Sequence, residues 1–209
     1  MNRIAMAALT IAFAVTALQP LSIRAESSSS AASSSAAPSG SSQAAAEEWR
    51  TFTSKTGFTV EFPAAPMKGK QENESFTTTN YQCRIIDGKT HTTFLAGCTA
   101  YDAKFFEKKG AERLQKEGIS LRMRNHFARV FKKAKVTAGS ATGEEFDFQG
   151  YSEKVKPKKK TKRDLTGKLR VFWSGHNEYI VMCSTTAPEL NADATRFLNS
   201  FALAAPMQP

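Results

Sequence analysis

Three histidines, three cysteines and one dense run of lysines are the residues of this 209-residue chain whose types invite a chemical reading. His91, His126 and His176 are scattered, and no Cys or His pair has the spacing of a metal site, so no metal and no cofactor is expected. Ser174-Gly175-His176 falls in a tight turn and lacks the Gly-x-Ser-x-Gly elbow of a serine hydrolase. Cys183 sits in a strand-like segment with no candidate base near it in sequence, and no pair of carboxylates stands out. No catalytic residue is assigned. A triad is assembled in space, however, and can hide from a linear reading. A secreted hydrolase or thiol-dependent enzyme is therefore the alternative to the leading reading developed below.

The lysine run is the sharpest local feature: Lys154-Val155-Lys156-Pro157-Lys158-Lys159-Lys160-Thr161-Lys162-Arg163. Like charges repel and Pro157 opposes strand pairing, so a projecting loop is expected. Such a loop is either an electrostatic finger for an anionic surface or a solvated insertion. A second basic group, Arg122, Arg124, Arg129, Lys132, Lys133 and Lys135, has the spacing of the wet side of an amphipathic helix. The candidate anion-binding residues are thus Lys154, Lys156, Lys158, Lys159, Lys160, Lys162 and Arg163 on the loop, with Arg122, Arg129 and Lys133 on the helix. The net charge of +10 favours the same class of partner: an anionic lipid surface, a cell-wall polymer or an acidic protein. Sequence-specific nucleic-acid recognition is not expected. It needs exposed aromatics among the cations, whereas Phe127 and Phe131 read as members of a buried stripe and the lysine run contains no aromatic.

The start of the chain places these residues outside the cytoplasm. Asn2-Arg3 is a short positive start, Ile4 to Leu18 is an uncharged apolar run, and Pro20 and Ala25 complete a secretory signal over residues 1–25. The run is shorter than the ~20 residues needed to span a bilayer, so the mature chain should carry no transmembrane segment and be periplasmic or secreted. Residues 26–46 are almost wholly Ser, Ala, Gly, Pro and Gln, a composition that cannot offset chain entropy by burial and reads as a disordered linker. Residues 47–205 then form one domain.

Within that domain, Phe58, Val60 and Phe62 alternate with Thr59 and Glu61, as in a half-buried strand. Residues 80–100 read as a hairpin turning at Asp87-Gly88, which would set Cys83 opposite Thr92. Asp102 caps a helix that Gly110 weakens and Gly118 ends. A second helix then carries Ile119, Met123, Phe127, Val130, Phe131 and Ala134 on its apolar side. Phe146 and Phe148, then Leu169, Val171 and Trp173, then Ile180 and Met182 mark a C-terminal meander, and Leu190, Ala194, Phe197, Leu198 and Phe201 the stripe of a last helix. Export permits disulfides. Cys98 and Cys183, both on long strands of one sheet, are the expected pair, because the hairpin register separates Cys83 from Cys98.

Three segments carry a family resemblance: Gly57-Phe58-Thr59-Val60-Glu61-Phe62-Pro63, Gly139 through Gly143 to Glu145-Phe146, and Ala192-Asp193-Ala194-Thr195-Arg196-Phe197-Leu198-Asn199-Ser200-Phe201. In this order the domain resembles the exported DcrB/PsbP-like α+β domains. The resemblance implies a single antiparallel sheet, hairpin plus C-terminal meander, with helices packed on one face, and a non-catalytic binding or accessory role. The lysine run and the strong basicity depart from that pattern, and individual function is sought there. N-terminal sequencing of exported protein should find a mature chain starting near Glu26; an intact Met1 in the membrane fraction would make residues 1–25 an anchor.

Overall fold

Alternating burial is the rule that builds this domain, and it is plainest in two strands. Phe58, Val60 and Phe62 are fully buried while Thr59 and Glu61 between them are half-buried. Leu165, Gly167, Leu169 and Val171 alternate in the same way with half-buried Thr166, Lys168 and Arg170. The computed structural model describes residues 49–125, 127–139, 141–152 and 162–204. Along them run β1 (Arg50–Ser54), β2 (Phe58–Phe62), β3 (Met67–Glu72), β4 (Phe76–Asp87), β5 (Thr90–Tyr101), α1 (Ala103–Lys109), α2 (Ala111–Asn125), β6 (Arg129–Ala138), β7 (Ala141–Gly150), β8 (Leu165–Ser174), β9 (Asn177–Thr185), α3 (Ala192–Ser200) and β10 (Ala202–Leu203). The class is α+β with antiparallel pairing throughout. Residues 1–25, 26–46 and Lys154, Lys156, Lys158, Lys159 and Lys160 lie outside the described residues.

The strands form two sheets, not the single one expected. Seven pair in the order β3-β4-β5-β9-β8-β7-β6, and a smaller sheet has the order β1-β2-β10. The small sheet and α3 together cover one face of the large one. Phe58, Val60, Phe62, Phe197, Leu198 and Phe201 pack there against Tyr81, Phe94, Cys98, Phe172, Val181 and Cys183. The ring of Phe197 meets those of Phe62 and Phe94, each at a centroid distance of 5.2 Å. This apolar face spans β4, β5, β9 and β8, more than one helix about 10 Å wide can cover. A short hairpin and a closing strand complete the cover.

Helices lie on both faces, a second correction. In β9, Tyr179, Val181 and Cys183 point into the core just described, so Glu178, Ile180 and Met182 point to the other side. There α2 is held by Arg122 to Glu178 (3.3 Å) and by Gln115 to the indole N–H of Trp173 (3.0 Å) and to Glu144. Leu114 and Met123 are its buried apolar residues.

The helix boundaries differ from the expected ones for a physical reason. Gly110, at φ +77°, ends α1 by donating to the Phe106 carbonyl at 2.8 Å, and α2 runs straight through Gly118. A β-carbon at residue 118 would stand 2.8 Å from Arg122 Nη1 and 3.4 Å from Glu178 Oε1, so glycine here admits an ion pair beneath the helix. The expected second helix is in fact the end of α2 followed by strand β6. Residues 129–138 satisfy their backbone along the free edge of β7, and long-range pairing overrides a helical spacing of side chains. The hairpin turns at Gly88-Lys89, with Asp87 opposite Thr90, so Cys83 faces Phe94 rather than Thr92.

Glu178 is 1% exposed in its side chain and Arg122 11%. Removing one partner from such a pair strands a buried charge, at about 3–5 kcal/mol. Arg122→Ala should lower stability by about that much in urea titration. Arg122→Ala combined with Glu178→Leu should recover a large part of it.

Candidate functional site

Strand β6 is one edge of the seven-stranded sheet, so its outer backbone groups have no strand partner among the described residues. Arg129, Phe131, Lys132, Lys133 and Lys135 on it are exposed. Lys133 is committed: it pairs with Glu144 at 2.6 Å and lies 5.5 Å from the Phe146 ring centre. Arg129, Lys132 and Lys135 make no ion pair among the described residues. Lysines on an edge also discourage edge-to-edge aggregation, which is the bland reading of the same charges. The register slips between Val130 and Lys132, leaving Phe131 as the extra residue of a bulge with its ring 59% exposed.

The topology then brings Arg129 of the second basic group to the end of the sheet where Lys162 and Arg163 lie. Arg129, the first residue of β6, stands opposite Gln149; Gly150, the last of β7, stands opposite Leu165, the first of β8. Lys162 and Arg163, the described residues of the lysine run, precede Leu165 and so lie at the sheet end where β6 starts. The neck of the run is tied: Ser152 donates from its amide (2.8 Å) and hydroxyl (2.6 Å) to the Asp164 carboxylate, and Asp164 donates back to the Gly150 carbonyl at 3.2 Å. Partial burial opposes the charge on Asp164, but the Ser152 bonds outweigh it and hold the carboxyl below its usual range. Lys162 and Arg163 emerge exposed from this neck, with Arg163 5.9 Å from the ring centre of Tyr151.

Other expected site residues fall elsewhere. Arg122 belongs to the buried pair with Glu178 and is not available to a ligand, a correction of its assignment to a wet helix face. Phe127 and Phe131, assigned to a buried stripe, are 39% and 59% exposed. The aromatic residues missing from the basic surface in the sequence are therefore present on it. Alternation of Ala134, Val136 and Ala138 against Lys133, Lys135 and Thr137 is a period-two signal that could have marked a strand, but the bulge at Phe131 breaks it upstream, where a 3.6-residue spacing of apolar residues masked it.

No disulfide joins the three cysteines, and all three are buried. The expected Cys98–Cys183 bridge fails on register: Cys98 faces Tyr179 and Cys183 faces Phe94. Four residues of strand, roughly 13 Å, separate them, against Cα separations under ~7 Å in real bridges. Burial pushes the Cys98 thiol up to about 11 and that of Cys183 up to about 12, the reverse of what activates a nucleophile. His91 pairs with Ile86 near the β4–β5 turn, and His176 lies in the turn between β8 and β9, against the ring of Phe106 at 4.8 Å. Among the described residues no group of three or more His, Cys, Asp and Glu is placed to hold a metal ion, and no helix is long and apolar enough to cross a membrane. A groove of about 580 Å³ adjoins the β6 edge, lined by Lys135, Thr137, Arg170, Asn199, Phe201 and Ala202 among others. Arg170 is spent on Glu145 (2.7 Å), the Leu198 carbonyl (2.7 Å) and Asn199 (3.1 Å).

Neither protein-family models nor curated proteins match the chain. Among solved structures it is similar to a protein of unknown function from Pseudomonas aeruginosa, at 11% identity and a TM-score of 0.36, over 66% of this chain and 83% of that one.

The buried thiols give a direct check. In native protein none of the three should react with a water-soluble disulfide reagent within minutes, and all three should react once the chain is unfolded in guanidinium. Rapid native modification of Cys183 would revive the thiol-enzyme reading.

Proposed function

We propose that the chain is a non-catalytic binding or accessory domain that works outside the cytoplasm and docks on anionic partners through its basic sheet edge. The observation that carries this reading is the convergence at one sheet end of Arg129 with Lys162 and Arg163, the described residues of the lysine run. Lys132 and Lys135 extend the same charge along β6. Cations on an open edge reach a partner without refolding the domain, and opposite charge steers the encounter. The resemblance to exported DcrB/PsbP-like domains favours the same class of role, and the apolar start of the chain favours the same side of the membrane. Against the hydrolase reading stand the burial and raised pKa of Cys183.

Two sets of substitutions separate the edge from the loop: Arg129, Lys132 and Lys135 to Gln, and Lys158, Lys159, Lys160 and Lys162 to Gln. Each set should leave the melting temperature nearly unchanged, since exposed substitutions usually stay within about ±0.5 kcal/mol. Each should weaken retention on anionic vesicles or cell-wall polymer at low salt, and the two combined should weaken it most. Attraction of this kind is screened over ~8 Å at physiological ionic strength, so added salt should erase the differences. Equal retention of the wild type and the combined variant at low salt would reject the reading. Turnover of an ester, peptide or phosphate substrate that disappears in Cys183→Ser would replace it with the enzymatic one.

A further inference from the structure

Phe127 is the only non-glycine among the described residues with a positive φ, +45°. It occupies the left-handed position that closes α2: its amide donates to the Arg124 carbonyl at 3.1 Å, and the Ala128 amide donates to that of Met123 at 2.7 Å. Glycine or asparagine is the usual occupant of such a cap, because a side chain there crowds its own backbone. A bulky residue can be kept in this conformation when its ring is buried in return. Phe127 gains less from that than a core phenylalanine, since it is 39% exposed. A few residues on, Phe131 stands in the β6 bulge at 59% exposure. Folding therefore gives no full account of either ring. Both lie among exposed cations with no ion pair among the described residues: Arg124 in the last turn of α2, and Arg129, Lys132 and Lys135 on β6.

Exposed apolar rings with exposed cations close by in the chain match the interface of an anionic bilayer, where acyl chains accept the rings and phosphates meet the cations. Single-stranded nucleic acid also uses rings and cations, but its bases stack on aromatics presented as a platform. Here one ring is on a turn and the other is the extra residue of a bulge. Phenylalanine, with no polar atom, suits the acyl boundary.

Resting on the anionic-partner reading above, we propose that the α2–β6 turn and the β6 bulge form a membrane-docking site. Phe127 and Phe131 insert into the outer acyl region of an anionic lipid bilayer, and Arg124, Arg129, Lys132 and Lys135 contact its phosphates. The strained cap is kept because it displays a ring.

The test is co-sedimentation of the full chain with phosphatidylglycerol/phosphatidylcholine vesicles. Phosphatidylcholine vesicles subtract any binding through the apolar run Ile4–Leu18, which all variants share. An oligo(dT) arm runs in parallel. Phe127→Asn relieves the cap and should leave the melting temperature unchanged or up to about 4 °C higher. Phe131→Ser should keep it within about 2 °C. Together they should weaken retention on anionic vesicles about tenfold. Phe127→Trp should acquire a blue-shifted emission that brominated lipids quench, above the background of Trp49 and Trp173. If the wild type sediments with anionic vesicles, the Asn/Ser variant does so equally and no quenching appears, insertion is overturned while electrostatic docking stands. If oligo(dT) is held more tightly than vesicles and the paired variant loses it, the site is a nucleic-acid platform and the inference fails. If the wild type binds no anionic partner at all, the underlying functional reading falls with it.

Discussion

The ion pair between Arg122 and Glu178 decides where helix α2 lies, and much of the remaining geometry follows from that. Glu178 stands on β9, in the middle of the seven-stranded sheet, and is almost wholly buried. A carboxylate in such a place needs a cation and hydrogen bonds, and it draws Arg122 and the Tyr101 hydroxyl (3.3 Å) onto itself. Burial, and then the charge of Glu178, push the Tyr101 phenol above its ordinary pKa, so it stays a donor. Gly118 is the matching concession in the helix, since it leaves room for the guanidinium. With α2 held at Arg122, its last turn ends close by and the chain passes through a tight cap into β6.

The basic surface arises from how the acidic groups are used. Glu145 and Asp147 on β7 share Lys168, and Glu145 also holds Arg170, so cations and carboxylates alternate across neighbouring strands. For Lys168, partial burial disfavours the charge, yet Asp147 and Glu145 outweigh it and raise its pKa. Glu61 holds Arg196, Glu117 holds Lys109 and Arg113, and Glu144 holds Lys133. With these carboxylates engaged inside the fold, a chain of net charge +10 must show its surplus where no acid stands opposite. The outer edge of β6 is such a place. Among the described residues no strand lies beyond it to supply an acidic neighbour.

Much of the domain was legible in the residue order. Period-two burial in residues 58–62, the hairpin of β4 and β5, the meander of β7, β8 and β9, the Asp102 cap and the stripe of α3 all rest on local signals: alternation, a turn glycine, a side chain that accepts from the helix N-terminus (3.1 Å for Asp102). The α+β class follows from them. Residues 129–134 were misread because their apolar spacing suits a helix, and nothing local says that β7 has an open edge waiting. Phe127 and Phe131 were placed in a core for the same reason, and Arg122 on a wet surface.

Composition and order alone determined that this is a basic chain whose charge is concentrated in its middle and whose strands and helices alternate in a particular sequence, because those properties depend on residues close together in the chain. Only the tertiary structure decided that the strands divide into two sheets, that helices cover both faces, that Cys98 and Cys183 sit four residues out of register, and that Lys162, Arg163 and Arg129 share one end of the sheet. Each of these depends on pairing between segments far apart along the chain. Such pairing is settled by which apolar faces can be covered together and which buried charges can be matched, and no local window of residues records that competition.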